Sequence, residues 1–340
     1  SFAIDWVGKS FGVFKLKHEP IDVSLPRRES KQGRGHRGFR IESDPFMDFE
    51  EAAARRDFTM NAMGWDPLTG EVIDPYHGQS DLIQGILRHT SEQFAEDPLR
   101  VLRGMQLVAR FQLRAAPETI KLCRTLSMED LPRERVFEEW RKLILRGVAI
   151  RRGLEFLLET AWIQFFPELA QMVGCEQDPQ WHPEGDVFTH TALCMDAFAR
   201  ERIGDDWEDL IVGFAVLGHD MGKPLTSFTD ENGRIRSPGH DREGVPVARQ
   251  FLDRITQHKN LIEAVLPLIR EHMQPLALYK DQPSAAAIRR LAKRVGRIDR
   301  LVRVDSADRG GRGEYFQDPS PQGVWLLEYS ERLAIQDCQP

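Results

Sequence analysis

Glu96-Asp97-Pro98-Leu99-Arg100-Val101-Leu102-Arg103 opens the long helical part of this chain. Leu99, Leu102, Leu107, Val108 and Phe111 follow at helical spacing, and the pattern stays helical from about Leu82 onward. Leu154, Leu157, Leu158 and Trp162 repeat it, while Pro132 and Pro167 punctuate it. Asp97 and Arg100 are expected one helical turn apart, and so on one side of a helix. A carboxylate accepts from an exocyclic amine, and a guanidinium donates to a ring nitrogen or a carbonyl. The pair therefore suits the Watson–Crick edge of a base without a nucleic-acid template. A lone acid–guanidinium pair at this spacing is more often a surface salt bridge, so the neighbouring strings decide.

Two further strings stand beside it. Arg55-Arg56-Asp57-Phe58-Thr59-Met60-Asn61-Ala62 offers Arg56 and Asn61 for a triphosphate and a ribose, because a planar guanidinium presents several fixed donors. Glu134-Arg135-Val136-Phe137-Glu138-Glu139 offers carboxylates that brace the arginines through ion pairs. Upstream, Val13, Phe14 and Leu16, then Ile21, Val23 and Leu25, predict two strands with His18-Glu19-Pro20 as their turn. The run Arg27, Arg28, Lys31, Arg34, His36, Arg37, Arg40, interleaved with Gly33, Gly35 and Gly38, reads as a mobile basic loop able to close over phosphates. Asp48 to Met63 reads as a helix, and Gly64 to Pro75 as a hairpin or paired extended pieces.

RRDFTMNA, EDPLRVLR and ERVFEE, with GEVIDPYHGQSDL and ILRHTSEQFAEDPLR, resemble the motifs of class II tRNA nucleotidyltransferases, the CCA-adding enzymes and their poly(A) polymerase relatives. The likeness runs from about residue 10 to about residue 170. It implies that Arg56 contacts the incoming nucleotide and that Asp97 and Arg100 form an amino-acid template selecting C and then A. It implies that Arg103 helps hold phosphate or base, and that Arg28 to Gly38 is the flexible loop that switches specificity. Asp22, in IDVSLPR, stands where the third carboxylate of the palm is expected. The implied substrates are tRNA, CTP and ATP, with Mg2+ for the transfer. One departure is Gln106, where many bacterial relatives carry a further arginine. Another is the absence of a GGxVRD-like loop and a DxD pair, which would place magnesium on the attacking and leaving oxygens. The expectation is that the sequence starts inside the palm, and that as it stands it binds nucleotide poorly and transfers none.

The last part of the chain carries His190, then His219-Asp220 in GHDMGK, then His240 and His272, with Asp305 and Asp308 beyond. Imidazole and carboxylate together suit a borderline or hard divalent ion, which activates a water against phosphorus. Lys223, one turn past the His-Asp pair, is placed to steady a phosphate. A lone helical histidine is more often a core or cap residue, but HD followed by GK after Ile211, Val212, Phe214, Val216 and Leu217 resembles the HD superfamily of metal-dependent phosphohydrolases. That resemblance makes His190, His219, Asp220 and Asp308 the metal ligands. His240 and His272 match positions for a second metal or the phosphate, with Mn2+, Ni2+ or Mg2+ as the ion. Asp308 is preferred to Asp305 for its ADRGGRG context. His182 is placed at the site's entrance and His258 on the surface.

The chain has 340 residues, 41% hydrophobic and 29% charged, which fits two or three packed globular units. No apolar run suffices to span a membrane and no leader is apparent, so no membrane partner is expected. Cys123, Cys175, Cys194 and Cys338 form no CxxC pair, and scattered thiols suit the cytoplasm. A net charge of −7 argues against a protein coated in cations, though local patches matter more. One such patch, Arg289, Arg290, Lys293, Arg294, Arg297, Arg300 and Arg303, reads equally as a solvated helix face.

The expected class is α+β. A partial nucleotidyltransferase palm spans residues 1–90 and a helical neck and body spans 91–175. An all-α HD domain with C-terminal helices spans 176–340, the boundary lying in the polar Cys175 to Pro183. The resemblance implies CCA addition to tRNA 3′ ends, with an HD phosphodiesterase and phosphatase acting on 2′,3′-cyclic or terminal phosphates. The alternatives are an HD phosphohydrolase with a non-catalytic RNA-binding remnant, or an enzyme adding only CC, only A, or poly(A).

Overall fold

The computed structural model describes residues 4–7, 13–16, 22–24, 26–31, 39–281, 283–313 and 320–333, with side chains essentially from residue 44 onward. It contains two compact units, Ser1–Asp97 and Pro98–Pro340. The α+β class expected from the sequence holds.

The first unit begins with strands β1 (Ile4–Val7), β2 (Val13–Leu16) and β3 (Asp22–Ser24), antiparallel in that order. Phe14 pairs with Trp6 on one side and Val23 on the other. β4 (Arg27–Lys31) pairs antiparallel with β5 (Phe39–Ser43), Arg27 opposite Ser43. The basic stretch is therefore strand at both ends rather than loop throughout, and residues 32–38 lie outside the described residues.

Helix α1 covers only Phe49–Ala54, opened by Asp48, whose Oδ1 accepts the Glu51 N–H at 2.7 Å. The expected helix to Met63 breaks because the Asp57 carboxylate captures the Phe58 N–H at 2.8 Å, a local bond that competes with the helix. Phe58 is extended and buried, and a 3-10 turn follows at Thr59–Asn61. β6 (Gly64–Trp65) and β7 (Val72–Ile73) form the expected hairpin. α2 (Gly78–Gln84), β8 (Ile86–Leu87) and a 3-10 turn at Glu92–Glu96 complete the unit, so the region after Leu82 is less helical than its pattern suggested. A Cβ on Gly78 would lie 2.3 Å from the Thr59 carbonyl, so only glycine lets α2 rest on that turn.

The second unit is helical apart from β9 (Arg114–Ala115) and the hairpin of β10 (Phe228–Thr229) and β11 (Ile235–Arg236). In chain order it contains α3 (Leu99–Phe111), α4 (Pro117–Cys123), α5 (Arg133–Arg146), α6 (Ile150–Glu159) and α7 (Pro167–Ala170). Next come α8 (Val187–Arg200), α9 (Asp206–Gly218), α10 (Lys223–Thr226), α11 (His240–Ile255) and α12 (Lys259–Glu271). α13 (Gln274–Asp281), α14 (Ala285–Val295), α15 (Ile298–Gly310) and α16 (Pro321–Arg332) end the described chain.

α9 is apolar all round from Leu210 to Gly218 and every one of those residues is buried, which makes it the central helix. α5, α8, α12 and α15 pack around it, and α6 packs on α3 and α8. Each buried leucine, isoleucine or valine of α9 contributes roughly 2 kcal/mol. Gly153 on α6 lets that helix close on α3, since a Cβ would meet the Met105 carbonyl at 2.7 Å.

Charged residues also lock the bundle. Arg300 reaches both carboxylate oxygens of Glu208 at 2.7 Å, and Arg303 pairs with Asp209. Arg294 grips Glu271 at 2.8 and 2.9 Å, and Arg297 grips Asp299 at 3.0 and 2.7 Å. Much of the second basic patch is thus bound to its own helices.

Candidate metal centre

α9 ends at Gly218, with His219 as its C-cap and Asp220 next. Gly222 follows in a position only glycine can fill, because a Cβ would lie 2.1 Å from the His240 carbonyl and 2.5 Å from the Gly244 N. That contact brings the start of α11, with His240, onto the His-Asp pair. His272 arrives from the end of α12, His190 from α8 and Asp308 from α15. His190, His219, Asp220 and His272 are each at most 4% exposed, and His240 is 8% exposed.

Three of these imidazoles are oriented alike. The Nδ1–H of His219 donates to the Val216 carbonyl, that of His240 to Ser237, and that of His272 to Ile269, each at 2.7 Å. A carbonyl only accepts, so each Nε2 is left with its lone pair. The His190 Nδ1–H donates to Glu184 Oε1 at 2.6 Å, a carboxylate–histidine pair that turns Nε2 inward.

All four Nε2 atoms face carboxylates. Asp220 Oδ2 lies 3.2 Å from His219 Nε2 and 3.7 Å from His190 Nε2. Its Oδ1 lies 3.4 Å from His240 Nε2 and 4.0 Å from His272 Nε2. Asp308 Oδ1 lies 3.1 Å from His190 Nε2. His240 and His272 place their Nε2 atoms 3.2 Å apart. His219 Nε2 is buried with no hydrogen-bond partner.

Cations hold the acids. Lys223 Nζ sits 2.7 Å from Asp220 Oδ2, out of line for a hydrogen bond, and donates to Gln177 Oε1 at 2.6 Å. Arg312 Nη2 donates to both oxygens of Asp308 at 3.1 Å. Burial opposes the charge on Asp220, but His219 and Lys223 outweigh it and hold its pKa well below the usual carboxylate range. Burial likewise opposes Asp308, and Arg312 with His190 overcomes it. Burial also disfavours a charge on His190, yet Cys194, Asp308 and Glu184 around it raise its pKa well above the ordinary imidazole value. His272 is pushed the other way, to about 4, by burial and then by His219 and His240.

Lone pairs facing one another between ionised carboxylates repel unless a cation sits among them, so the donor set fits a divalent ion. Two nitrogens about 2.1 Å from one ion lie at most ~4.2 Å apart, and the 3.2 Å between His240 and His272 satisfies that limit. The two oxygens of Asp220 face two histidine groups, His190 with His219 and His240 with His272. A cavity of about 470 Å³ opens onto Asp220, His240, His272 and Asp308. Exposed Trp181, Arg236 and Lys280 stand at its mouth.

The comparisons with known proteins fit this arrangement. Residues 8–88 match the Poly A polymerase head domain, and residues 187–304 match the HD domain. A Multifunctional CCA protein of Stenotrophomonas maltophilia is 35% identical over 349 residues, 97% of this chain and 82% of that one. Its counterpart from Alkalilimnicola ehrlichii is 34% identical, over 98% of this chain and 81% of that one.

The chain belongs to the multifunctional CCA protein family.

Solved structures agree at the level of the fold. The Bacillus stearothermophilus CCA-adding enzyme in complex with CTP superposes with a TM-score of 0.62 at 20% identity, covering 98% of this chain and 69% of that one. A CCA-adding enzyme in apo form II gives 0.61 at 19%, over 100% of this chain and 72% of that one.

In this chain the strings expected to read the nucleotide take the following places. Arg56 is exposed, and Asn61 donates to Asp57 Oδ1 at 3.1 Å. Thr59 Oγ1 donates to buried Asp81 at 2.8 Å. The border between the two compact units falls between Asp97 and Pro98. Asp97 is extended, with φ −128° and ψ 95°, and α3 starts only after Pro98. Asp97 and Arg100 are therefore not one turn apart on one helix, because proline drives the residue before it into the extended region. Arg100 and Arg103 lie half-buried on α3. Gln106 is buried there and accepts from Arg110 at 3.2 Å. Glu138 and Glu139 pair with Arg141 and Lys142 of their own helix, at 3.2 and 2.9 Å. The side chain of Asp22 lies outside the described residues.

Asp305, the rival to Asp308 in sequence, stands apart from the cluster, bonded to Ser320 and to Gln322 at 3.1 Å. His182 lines the cavity and shares Glu184 Oε1 at 2.9 Å. His258 is exposed, its ring 5.2 Å from that of Phe137. Glu184, Cys194 and Arg312 were not singled out. Arg312 carried a signal, since it stands four residues beyond Asp308. Glu184 and Cys194 are identified only by where the helices put them. No helix among the described residues is long and apolar enough to cross a membrane.

Proposed function

We propose that this protein adds C, C and A to tRNA 3′ ends from CTP and ATP with Mg2+, and that its HD centre hydrolyses phosphate esters of RNA ends, 2′,3′-cyclic phosphates foremost. The division of labour is a palm within 1–90, a nucleotide-selecting neck and body within 91–175, and the hydrolase within 176–340. The cytoplasm is its proposed location.

The observation that carries the hydrolase is the set of inward-facing Nε2 atoms around Asp220, each fixed by an Nδ1–H bond on the far side of its ring. His190, His219, Asp220 and Asp308 would hold one divalent ion, Mn2+, Ni2+ or Mg2+, and Asp220, His240 and His272 a second ion or the phosphate itself. Such an ion supplies a more acidic water and polarises a phosphoryl oxygen. The protein's own part is to orient and to bind. Glu184 fixes His190, and Lys223 and Arg312 hold the two aspartates ionised. Lys280 and Arg236 at the mouth attract a phosphate, and Trp181 offers a face on which a base can stack.

For the transferase, Arg56, Asn61, Asp97, Arg100 and Arg103 are proposed to bind and choose the nucleotide, with Asp22 among the catalytic carboxylates. Family membership supports this reading, as do structural neighbours, CCA-adding enzymes solved in complex with CTP, ATP and tRNA.

The test takes the protein as its gene encodes it, a tRNA lacking CCA, labelled CTP and ATP, and Mg2+. Incorporation of two C and one A is expected, and no incorporation overturns the transferase reading. In parallel, a 2′,3′-cyclic nucleotide with Mn2+ or Ni2+ should be opened, and a metal-replete preparation that leaves it intact overturns the hydrolase reading.

A further inference from the structure

Cys194 lies one helical turn beyond His190 on α8, so both side chains share the face turned to the metal centre. Its Sγ is 3.3 Å from His190 Nε2 and 3.6 Å from the Asp308 carbonyl oxygen, and the residue is fully buried. A thiol that only filled core space would sit among apolar groups, whereas this one points at an imidazole nitrogen and a backbone carbonyl. One donor atom from each of His190, Cys194, His219 and Asp308 lies within 4.8 Å of all the others. A second observation points to the same spot: His219 Nε2, 1% exposed as a residue and without a hydrogen-bond partner, is aimed into the cluster. Gly311 at the end of α15 permits the approach, because a Cβ there would lie 2.3 Å from Cys194 Sγ.

We propose that Cys194 supplies a thiolate ligand to the ion held by His190, His219 and Asp308, making the centre a mixed nitrogen, oxygen and sulfur site. This rests on the metal-centre reading above. On binding, the S–H bond breaks, the sulfur–metal bond forms and the proton leaves to the buffer; no electron is transferred. Metal–sulfur and metal–nitrogen bonds of about 2.3 and 2.1 Å allow donors up to ~4.4 Å apart, and the 3.3 Å between Sγ and His190 Nε2 falls inside that. A soft thiolate shifts preference toward Zn2+, Co2+ and Ni2+ and away from Mg2+.

Co2+ titrated into the metal-stripped protein tests this by its spectrum alone. The expected result is saturable visible d–d bands together with a near-ultraviolet thiolate-to-cobalt charge-transfer band. Cys194→Ser should keep the visible bands and lose the charge-transfer band. Visible bands without that band in the unaltered protein, or the same band in Cys194→Ser, overturn the thiolate ligand and leave the metal centre standing. No saturable visible bands at all overturn both. Should Cys194→Ser not fold, judged by circular dichroism, X-ray absorption of the zinc-loaded Cys175→Ser protein decides instead. A sulfur neighbour at about 2.3 Å supports the proposal, and a shell of nitrogen and oxygen only overturns it.

Discussion

His240 Nε2 lies 3.2 Å from His272 Nε2, and both rings have already given their Nδ1–H to a backbone carbonyl. Two lone pairs so placed repel, and the Asp220 carboxylate beside them adds negative charge. Binding a cation removes both penalties, so these residues are preorganised for an ion rather than for one another.

His219→Ala and Asp220→Ala should therefore abolish hydrolysis of 2′,3′-cyclic nucleotides, by roughly a hundredfold or more, while nucleotide addition stays within about twofold. Measuring both activities on the same preparations checks this. Equal loss of the two would show that the sites are not independent.

Glu184→Gln should weaken divalent-ion binding by about 10- to 100-fold without disturbing the fold. The carboxylate is half-buried, accepts from both His182 and His190, and is held ionised down to about 2: burial opposes the charge, but the two histidine bonds outweigh it. Titration calorimetry with Mn2+ reads the affinity, and an unchanged value would remove Glu184 from its orienting role.

Gly222→Ala should cost about 1–3 kcal/mol of stability and also lower ion affinity. The added methyl would meet the His240 carbonyl and the Gly244 backbone, which must then move away from Asp220. A denaturant melt together with an ion titration tests the pair of effects. A stable variant with native affinity would mean that α11 is not held by this contact.

His272 gives a pH prediction for the ion-free protein. Burial, with His219 and His240, lowers its pKa from the ordinary imidazole 6.5 to about 4, so the native state favours the neutral ring. The unfolded chain binds that proton more readily, so stability is complete above about 6.5 and falls as pH drops toward 4. Thermal melts across that window should show the loss in the unaltered chain and a shallower loss in His272→Phe. Parallel pH profiles for the two would assign the effect elsewhere.

Asp97→Ala should blur the choice of base more than it weakens nucleotide binding. Competition between CTP and GTP in the addition assay reads the choice directly. A preference equal to that of the unaltered protein would dismiss the carboxylate as a template group.

Much of this was legible in the order of residues. His219-Asp220 before Gly222-Lys223, behind an unbroken apolar run, marked both a buried helix and the chemistry at its end. The hairpin after Gly64 was readable from Asp66-Pro67 and Thr69-Gly70. Other features misled. Asp48 to Met63 has helix-forming composition, but one carboxylate, Asp57, took the backbone N–H that a helix needs. Asp97 and Arg100 look like a helical pair when counted by threes, yet Pro98 between them sets the backbone before it.

The sequence by itself determined which residue types were available for metal chemistry and which helix had to be buried, because adjacency and periodicity are local properties. It also supplied the motifs by which the family is recognised. The sequence context already favoured Asp308 over Asp305, but only the tertiary structure set Asp308 against His190, and only it decided that Glu184 orients that ring and that Cys194 points at it. Those relationships join residues up to 118 positions apart. They exist because helices close enough to touch bring distant side chains within bonding distance, and no spacing along the chain encodes that.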